Sequence, residues 1–303
     1  PYIAKSLDEA KEILETYIID TAIIDINLDS RGSGNFDGNS VIEEILKYLR
    51  VPIFVVSGTP NHLDDSFKDN AMIKSYTREA DINEKLFERD IPNSIQSSTL
   101  AYFSRNGYLE NKVAKFYWEH LSKTIEYWEK IAREKPQEID KILSRHTLSC
   151  LNEKLYVNDN IGKFDEYHPG EMYIIPPIKQ HYHTGDIIKK DRELFIILNP
   201  ACDIVGQKVE LYVLAKITSI DKNIDNIKLN KGKECYYYLP YFANIFQKIP
   251  NNIYIINFQN LQTTQSCNEY ERVASISAPF LKDIIARFSR YYARQGQPDL
   301  MQH

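Results

Sequence analysis

Over roughly the first ninety residues, short apolar runs alternate with stretches of helical spacing, the pattern of a parallel sheet flanked by helices. Ala22-Ile23-Ile24 is an unbroken apolar run ending at Asp25, as expected of a central strand buried on both faces. Pro52-Ile53-Phe54-Val55-Val56 is the next such run, and it stops at Ser57-Gly58. Helices are predicted from Leu7 to about Tyr17, where Ser6 and Glu9 have capping-box spacing, and from Val41 to Leu49. A polar, Gly-rich loop from Arg31 to Gly38 separates the first strand from the second helix.

The texture then changes twice. From Leu109 to about Arg133, apolar residues recur every three or four positions, which predicts one long amphipathic helix. Pro136 breaks it, and a second helix carries Ile139, Ile142, Leu143, His146 and Cys150 on one stripe, with His146 read as a packed core histidine. After Val157, short strand-like runs (Met172 to Ile175, Leu194 to Leu198, Val209 to Ile217, Ile253 to Phe258) are separated by Pro, Gly, Asn and Asp turns. This predicts a small β-barrel-like domain, closed by an amphipathic helix from Pro279 to about Arg294. The expected organisation is an α/β domain over 1–95, a helical connector over 96–156 and a β-rich domain over 157–303.

Composition narrows the function classes. The 303 residues are 43% hydrophobic and 26% charged, ordinary for a folded globular chain. The net charge of −5 argues against a protein whose main task is coating nucleic acid, because neutralising phosphates requires a basic surface. No apolar run reaches the roughly 18 residues that would span a bilayer, so no membrane role is expected. The four cysteines are far apart, with neither zinc-ribbon spacing nor a disulfide framework, which predicts a reducing, cytoplasmic setting. The chain starts at Pro1 without a methionine, and an N-terminal piece that includes a first strand is expected to be missing.

Asp25-Ile26-Asn27-Leu28 sits where a predicted strand meets a loop, at the carboxyl edge where parallel sheets bind ligands. With Ser57-Gly58 after the next strand and Tyr76-Thr77-Arg78-Glu79 further on, this arrangement resembles the response-regulator receiver domain from about Leu7 to Ile91. The resemblance implies a flavodoxin-like fold and gives the matching positions their roles. Asp25 matches the phospho-acceptor, and the Asn27 carbonyl the position that helps hold Mg²⁺. Ser57 matches the hydroxyl that moves toward the phosphoryl group, and Tyr76 the aromatic switch. Where the family has a lysine followed by proline, this chain has Arg78-Glu79, and the acidic pair of the family's first strand is absent. A guanidinium fork does not replace an ammonium point charge. The expectation is therefore a degenerate receiver used for docking or control, with Asp25 and Asn27 as the only Mg²⁺ candidates.

In the C-terminal part, Thr184-Gly185-Asp186-Ile187-Ile188 and Asn199-Pro200-Ala201-Cys202-Asp203 resemble a bacterial family that joins a receiver-like domain to a β-rich domain with a Pro-x-Cys-Asp signature. That resemblance implies a place in phage-defence-type operons, beside an ATPase of the histidine-kinase/Hsp90 type. The Gly-Asp-Ile-Ile opening also resembles the SH3-like barrels of PemK-type toxins, more weakly. Catalytic candidates are Cys202 and Asp203 with His181 and His183; His168 lies nearby in sequence. His181 and His183 alternate as in a strand and could chelate a metal with Cys202 or Asp203, although a third and fourth ligand are not evident. The alternative is that Cys202 points inward as a packing residue while Asp203 accepts bonds from the backbone of a turn. Lys282, Arg287, Arg290 and Arg294 interleave with aromatics on the last helix, but nucleic acid is not the favoured partner. The resulting expectation is a regulatory or adaptor protein; the rival is a receiver-gated, ribonuclease-like effector enzyme. Homodimerisation is left open.

Overall fold

A computed structural model describes residues 1–26, 38–58, 63–78, 82–96, 98–158, 163–164, 166–221, 234–246 and 252–294. It divides into two compact units, Pro1–Asp165 and Glu166–His303. Asn27, Glu79 and most of the Gly-rich loop lie outside the described residues.

The first unit opens with α1 (Leu7–Thr16). The Ser6 hydroxyl accepts from the Glu9 backbone N–H at 3.2 Å, and the Glu9 carboxylate reaches back to the Lys5 N–H. Strands β1 (Ala22–Ile24), β2 (Ile53–Ser57) and β3 (Ile73–Thr77) form a parallel sheet in that order. Ala22 pairs with Ile53, and Ile53 with Ile73. Helix α2 (Gly38–Tyr48) crosses from β1 to β2 and buries Val41, Ile42 and Ile45 against Ile24, Ile53, Val55 and Ile73. Ala10 of α1 joins the same cluster, so both helices cover one face.

β1 departs from expectation. Among the described residues it has a strand neighbour on one side only, and Ile23 is 47% exposed. β2, flanked on both sides, is the buried central strand: Ile53, Phe54 and Val55 are each at most 1% exposed.

The short helix α3 (Asp65–Lys68) precedes β3, and after β3 come a π-helix over Asn83–Asp90, α4 (Ile91–Ile95) and α5 (Ser98–Phe103). The long helix expected from Leu109 is in fact two, α6 (Tyr108–Glu119) and α7 (Ile125–Glu134), joined by a 3₁₀ turn over Leu121–Thr124. Hydroxyls explain the break: Ser122 Oγ donates to the Trp118 carbonyl and Thr124 Oγ1 to the Leu121 carbonyl, competing with the helical ladder. α8 (Ile139–Tyr156) follows, and its His146 sits half-buried against Trp128, ring centroids 4.7 Å apart. A short pair, β4 (Val157–Asn158) and β5 (Lys163–Phe164), ends the unit.

In the second unit, β6 (Tyr173–Ile174), β7 (Asp186–Lys190), β8 (Glu193–Ile197), β9 (Tyr212–Asp221), β10 (Tyr236–Leu239), β11 (Asn252–Thr264) and β12 (Glu271–Ile276) make an antiparallel sheet ordered β10-β11-β9-β8-β7-β12-β6. It is an open sheet: among the described residues the edges β10 and β6 share no backbone ladder. A side chain links them instead, since the Tyr173 hydroxyl donates to the Pro240 carbonyl at 2.7 Å. One core, including Ile187, Ile196, Ala215, Ile256 and Phe258, runs through the sheet, and α10 (Ala278–Tyr292) packs Ile284 and Phe288 against it.

Candidate functional site

Strand register assembles the first candidate site. Ile24 pairs with Val55 and Ser57 with Thr77, so Asp25, Ser57 and Arg78 all fall at the carboxyl ends of adjacent parallel strands. An Arg78 guanidinium nitrogen donates to the Asp25 carboxylate, forming an ion pair across the edge. Ser57 is fully buried. Gly38, the first residue of α2, lies under the same edge: a Cβ there would stand 2.8 Å from the Asp25 carbonyl oxygen and 2.8 Å from the Ile26 Cα. Only glycine lets α2 start this close to the strand that delivers Asp25.

Tyr76 lies two residues before Arg78, and its hydroxyl donates to the Asp90 carboxylate at the end of the π-helix. Arg89 also holds Asp90, Nε to Oδ1 at 3.0 Å, and Lys74 stands 4.0 Å away. The bonds from Arg89 and Tyr76 pull the Asp90 carboxyl down to about 2. Burial, reinforced by the bond to Asp90, pushes the Tyr76 phenol up.

Among the described residues, Asp25 is the one candidate present for the Mg²⁺ that the receiver resemblance implies. The Asp25 carboxylate is taken up by Arg78, and among the described residues no group of three or more His, Cys, Asp or Glu side chains could hold a metal ion. Asn27 lies outside the described residues.

The C-terminal candidates occupy two neighbouring segments, which touch where the Thr184 hydroxyl donates to the Asn199 carbonyl at 2.6 Å. Cys202 and Asp203 belong to the single-turn helix α9 (Ala201–Val205). Cys202 is exposed, contrary to the inward-packing alternative, and its thiol faces the Asp203 carboxylate at 3.6 Å. Asn199, not Asp203, ties the turn: its Nδ2 donates to the Leu211 carbonyl at 2.9 Å and its Oδ1 accepts from the Val213 N–H at 2.6 Å. His181 is exposed. The backbone N–H of His183 donates to Asp186 at 2.7 Å; its Nδ1 is buried without a partner among the described residues, and burial lowers its pKa. No hydrogen bond or ion pair among the described residues joins either histidine side chain to Cys202 or Asp203. His168 caps its own 3₁₀ turn, accepting from the Gly170 N–H.

The polar centre of this unit is Asp186, a residue that sequence reasoning did not pick out as a site. Asp186, fully buried, accepts from Ser275 Oγ at 2.6 Å and from the His183 N–H, and the Arg272 guanidinium stands 3.5 Å away. Burial raises the Asp186 pKa. Arg272 also donates to the Lys179 and His181 carbonyls, so one side chain fastens the 179–186 segment to β12. The basic residues of α10 are partly committed within the unit: Arg287 pairs with Asp283 and covers the Tyr237 ring, and Arg294 pairs with Glu234.

No family model matches the chain, and no curated protein matches it. Among solved structures, a chain of the MazE–MazF crystal structure (Form-III) from Deinococcus radiodurans is similar over 37% of this chain and 95% of that chain, with 14% identity and a TM-score of 0.27. Among the described residues no helix is long and apolar enough to cross a membrane.

Proposed function

We propose that the chain is a regulatory or adaptor protein in which a degenerate, receiver-like α/β unit controls or docks a barrel-like β-rich effector unit. The observation that carries this reading is the Asp25–Arg78 ion pair at the carboxyl edge of the parallel sheet. A carboxylate accepts a phosphoryl group when a metal and a cation offset the charge gathered on it. Here the cation beside the carboxylate is the Arg78 guanidinium, a planar fork already bonded to a carboxylate oxygen and a different object from an ammonium point charge. The proposed setting is a cytoplasmic, phage-defence-type system with a histidine-kinase/Hsp90-type ATPase as partner, on the resemblance given above. Against a ribonuclease-like enzyme built on Cys202, Asp203, His181 and His183 stands the bonding pattern: the thiol faces the neighbouring Asp203 carboxylate, and no hydrogen bond among the described residues joins either histidine side chain to that pair.

The test is treatment of the N-terminally complete protein with acetyl phosphate and Mg²⁺, read by intact mass. The expected outcome is an unchanged mass. A stoichiometric phosphoryl adduct, abolished by Asp25→Ala, would overturn the degenerate-receiver reading.

A further inference from the structure

At the opposite, amino edge of the parallel sheet lies an open cavity of about 760 Å³, within the range of small-molecule sites. The ends of α1 and α2 form two of its walls, and α5 with the residues after it forms the third. Leu14, Ile18 and Phe103 give it apolar surface, and Tyr48, 71% exposed, stands at its rim. Arg50 Nε donates to the Phe103 carbonyl at 2.8 Å, which fixes the third wall to the end of α2.

The charges in this cavity are unevenly committed. Lys11 pairs with Glu44 at 3.7 Å, and Glu44 also takes Lys47. The Glu110 carboxylate accepts from the Asn106 N–H. Glu15 and Asp20 line the cavity, and neither side chain has a hydrogen bond or ion pair among the described residues; Arg105 is the one cation there whose side chain is in the same state. Both helices also present their carboxyl ends, where unpaired carbonyls carry partial negative charge and favour cations. The two uncommitted carboxylates outnumber the one uncommitted cation, and with two helix carboxyl termini, apolar walls and an exposed tyrosine they favour a cationic ligand.

From the cavity's shape and charge we infer that it binds a small organic cation: a protonated amine carried on an aromatic or aliphatic body. The apolar body lies against Leu14, Ile18 and Phe103, and the ammonium faces Glu15 and Asp20. This site is independent of the reading given to Asp25 and Arg78, which lie at the other end of the strands.

The probes are 2-phenylethylamine, its neutral analogue 2-phenylethanol and the anion 3-phenylpropionate, titrated into the full chain and followed by ligand-observed NMR. The amine should bind saturably, about tenfold more tightly than the alcohol, with the anion weakest of the three. Glu15→Gln combined with Asp20→Asn should bring the amine down to the level of the alcohol, while Asp25→Asn should change nothing. Amide shift changes in the unaltered protein, concentrated at 14–20 and 48–51, locate the site without relying on a variant's folding. Equal affinity for amine and alcohol, preference for the anion, no binding of the amine, shift changes elsewhere, or a double variant that binds the amine as before would each overturn the assignment.

Discussion

The Tyr76 hydroxyl donates to the Asp90 carboxylate, joining the last turn of strand β3 to the end of the π-helix. A carboxyl held at about 2 in the fold, below its ordinary 3.8, contributes stability that is complete above the ordinary value. That contribution is lost as pH falls from about 4 toward 2. Asp90→Asn should flatten this acid limb of the unfolding profile. Tyr76→Phe should cost about 1.5 kcal/mol at neutral pH, the size of a hydrogen bond to a charged group. Urea unfolding at pH 7 and thermal unfolding from pH 2 to 5 measure both, and an acid limb identical in Asp90→Asn would contradict the assignment.

Gly38→Ala tests the close approach beneath Asp25. The added methyl would meet backbone at 2.8 Å on two sides, and backbone yields poorly. A loss of about 1 to 3 kcal/mol is expected, as for overpacked sites generally. Hydrogen exchange should quicken in 22–26 and 38–48 while 186–197, in the other unit, keeps its protection. Unaltered exchange at 22–26 would mean that the strand end adjusts freely.

Periodicity made α1, α2 and the central strand β2 readable, because their buried faces follow helical and strand periods. It did not reveal that, among the described residues, β1 has a strand neighbour on one side only, since an apolar run looks the same wherever neighbouring strands fall. The break at His120 was hidden for a related reason: the apolar stripe continues through it, and the cause is two hydroxyl-to-backbone bonds. At the candidate site, Asp25 and Ser57 were visible as strand-ending polar residues, and Arg78 only through the receiver resemblance. Arg272 was not, because its partners Asp186 and His181 lie more than eighty residues earlier and only the fold of the sheet brings them together. Asp203 was assigned the turn-holding role that belongs to Asn199, since either short polar side chain is chemically suited to it.

That distinction gives a direct comparison. Asn199 is 8% exposed and satisfies two backbone groups, so Asn199→Ala should cost about 2 to 3 kcal/mol. Cys202→Ser, at an exposed position, should stay within about 0.5 kcal/mol of the parent. Melting temperatures of the two variants measured side by side decide the matter, and a larger drop for Cys202→Ser would return Cys202 to a structural role.

Arg272 and Asp186 offer the sharpest test of the β-rich unit. The Asp186 side chain is 1% exposed, so removing its cation leaves a buried charge supported only by the Ser275 and His183 hydrogen bonds, at a cost of about 3 kcal/mol. Arg272→Met keeps much of the side chain's bulk and should show this loss at pH 7. The pH dependence follows from the raised Asp186 pKa. A carboxyl whose folded value lies above its unfolded one penalises the fold fully above the folded value. The penalty is relieved as pH falls from the folded value toward the ordinary one. Removing Arg272 takes away an influence that lowers this pKa, so relief should begin at higher pH in Arg272→Met than in the parent. Adding Asp186→Asn should recover part of the loss, since a neutral amide replaces the buried charge, and it should abolish the pH dependence. Unfolding of the four proteins of this cycle between pH 4 and 8 gives the coupling directly, and strictly additive losses at every pH would show that Arg272 acts through the Lys179 and His181 carbonyls alone.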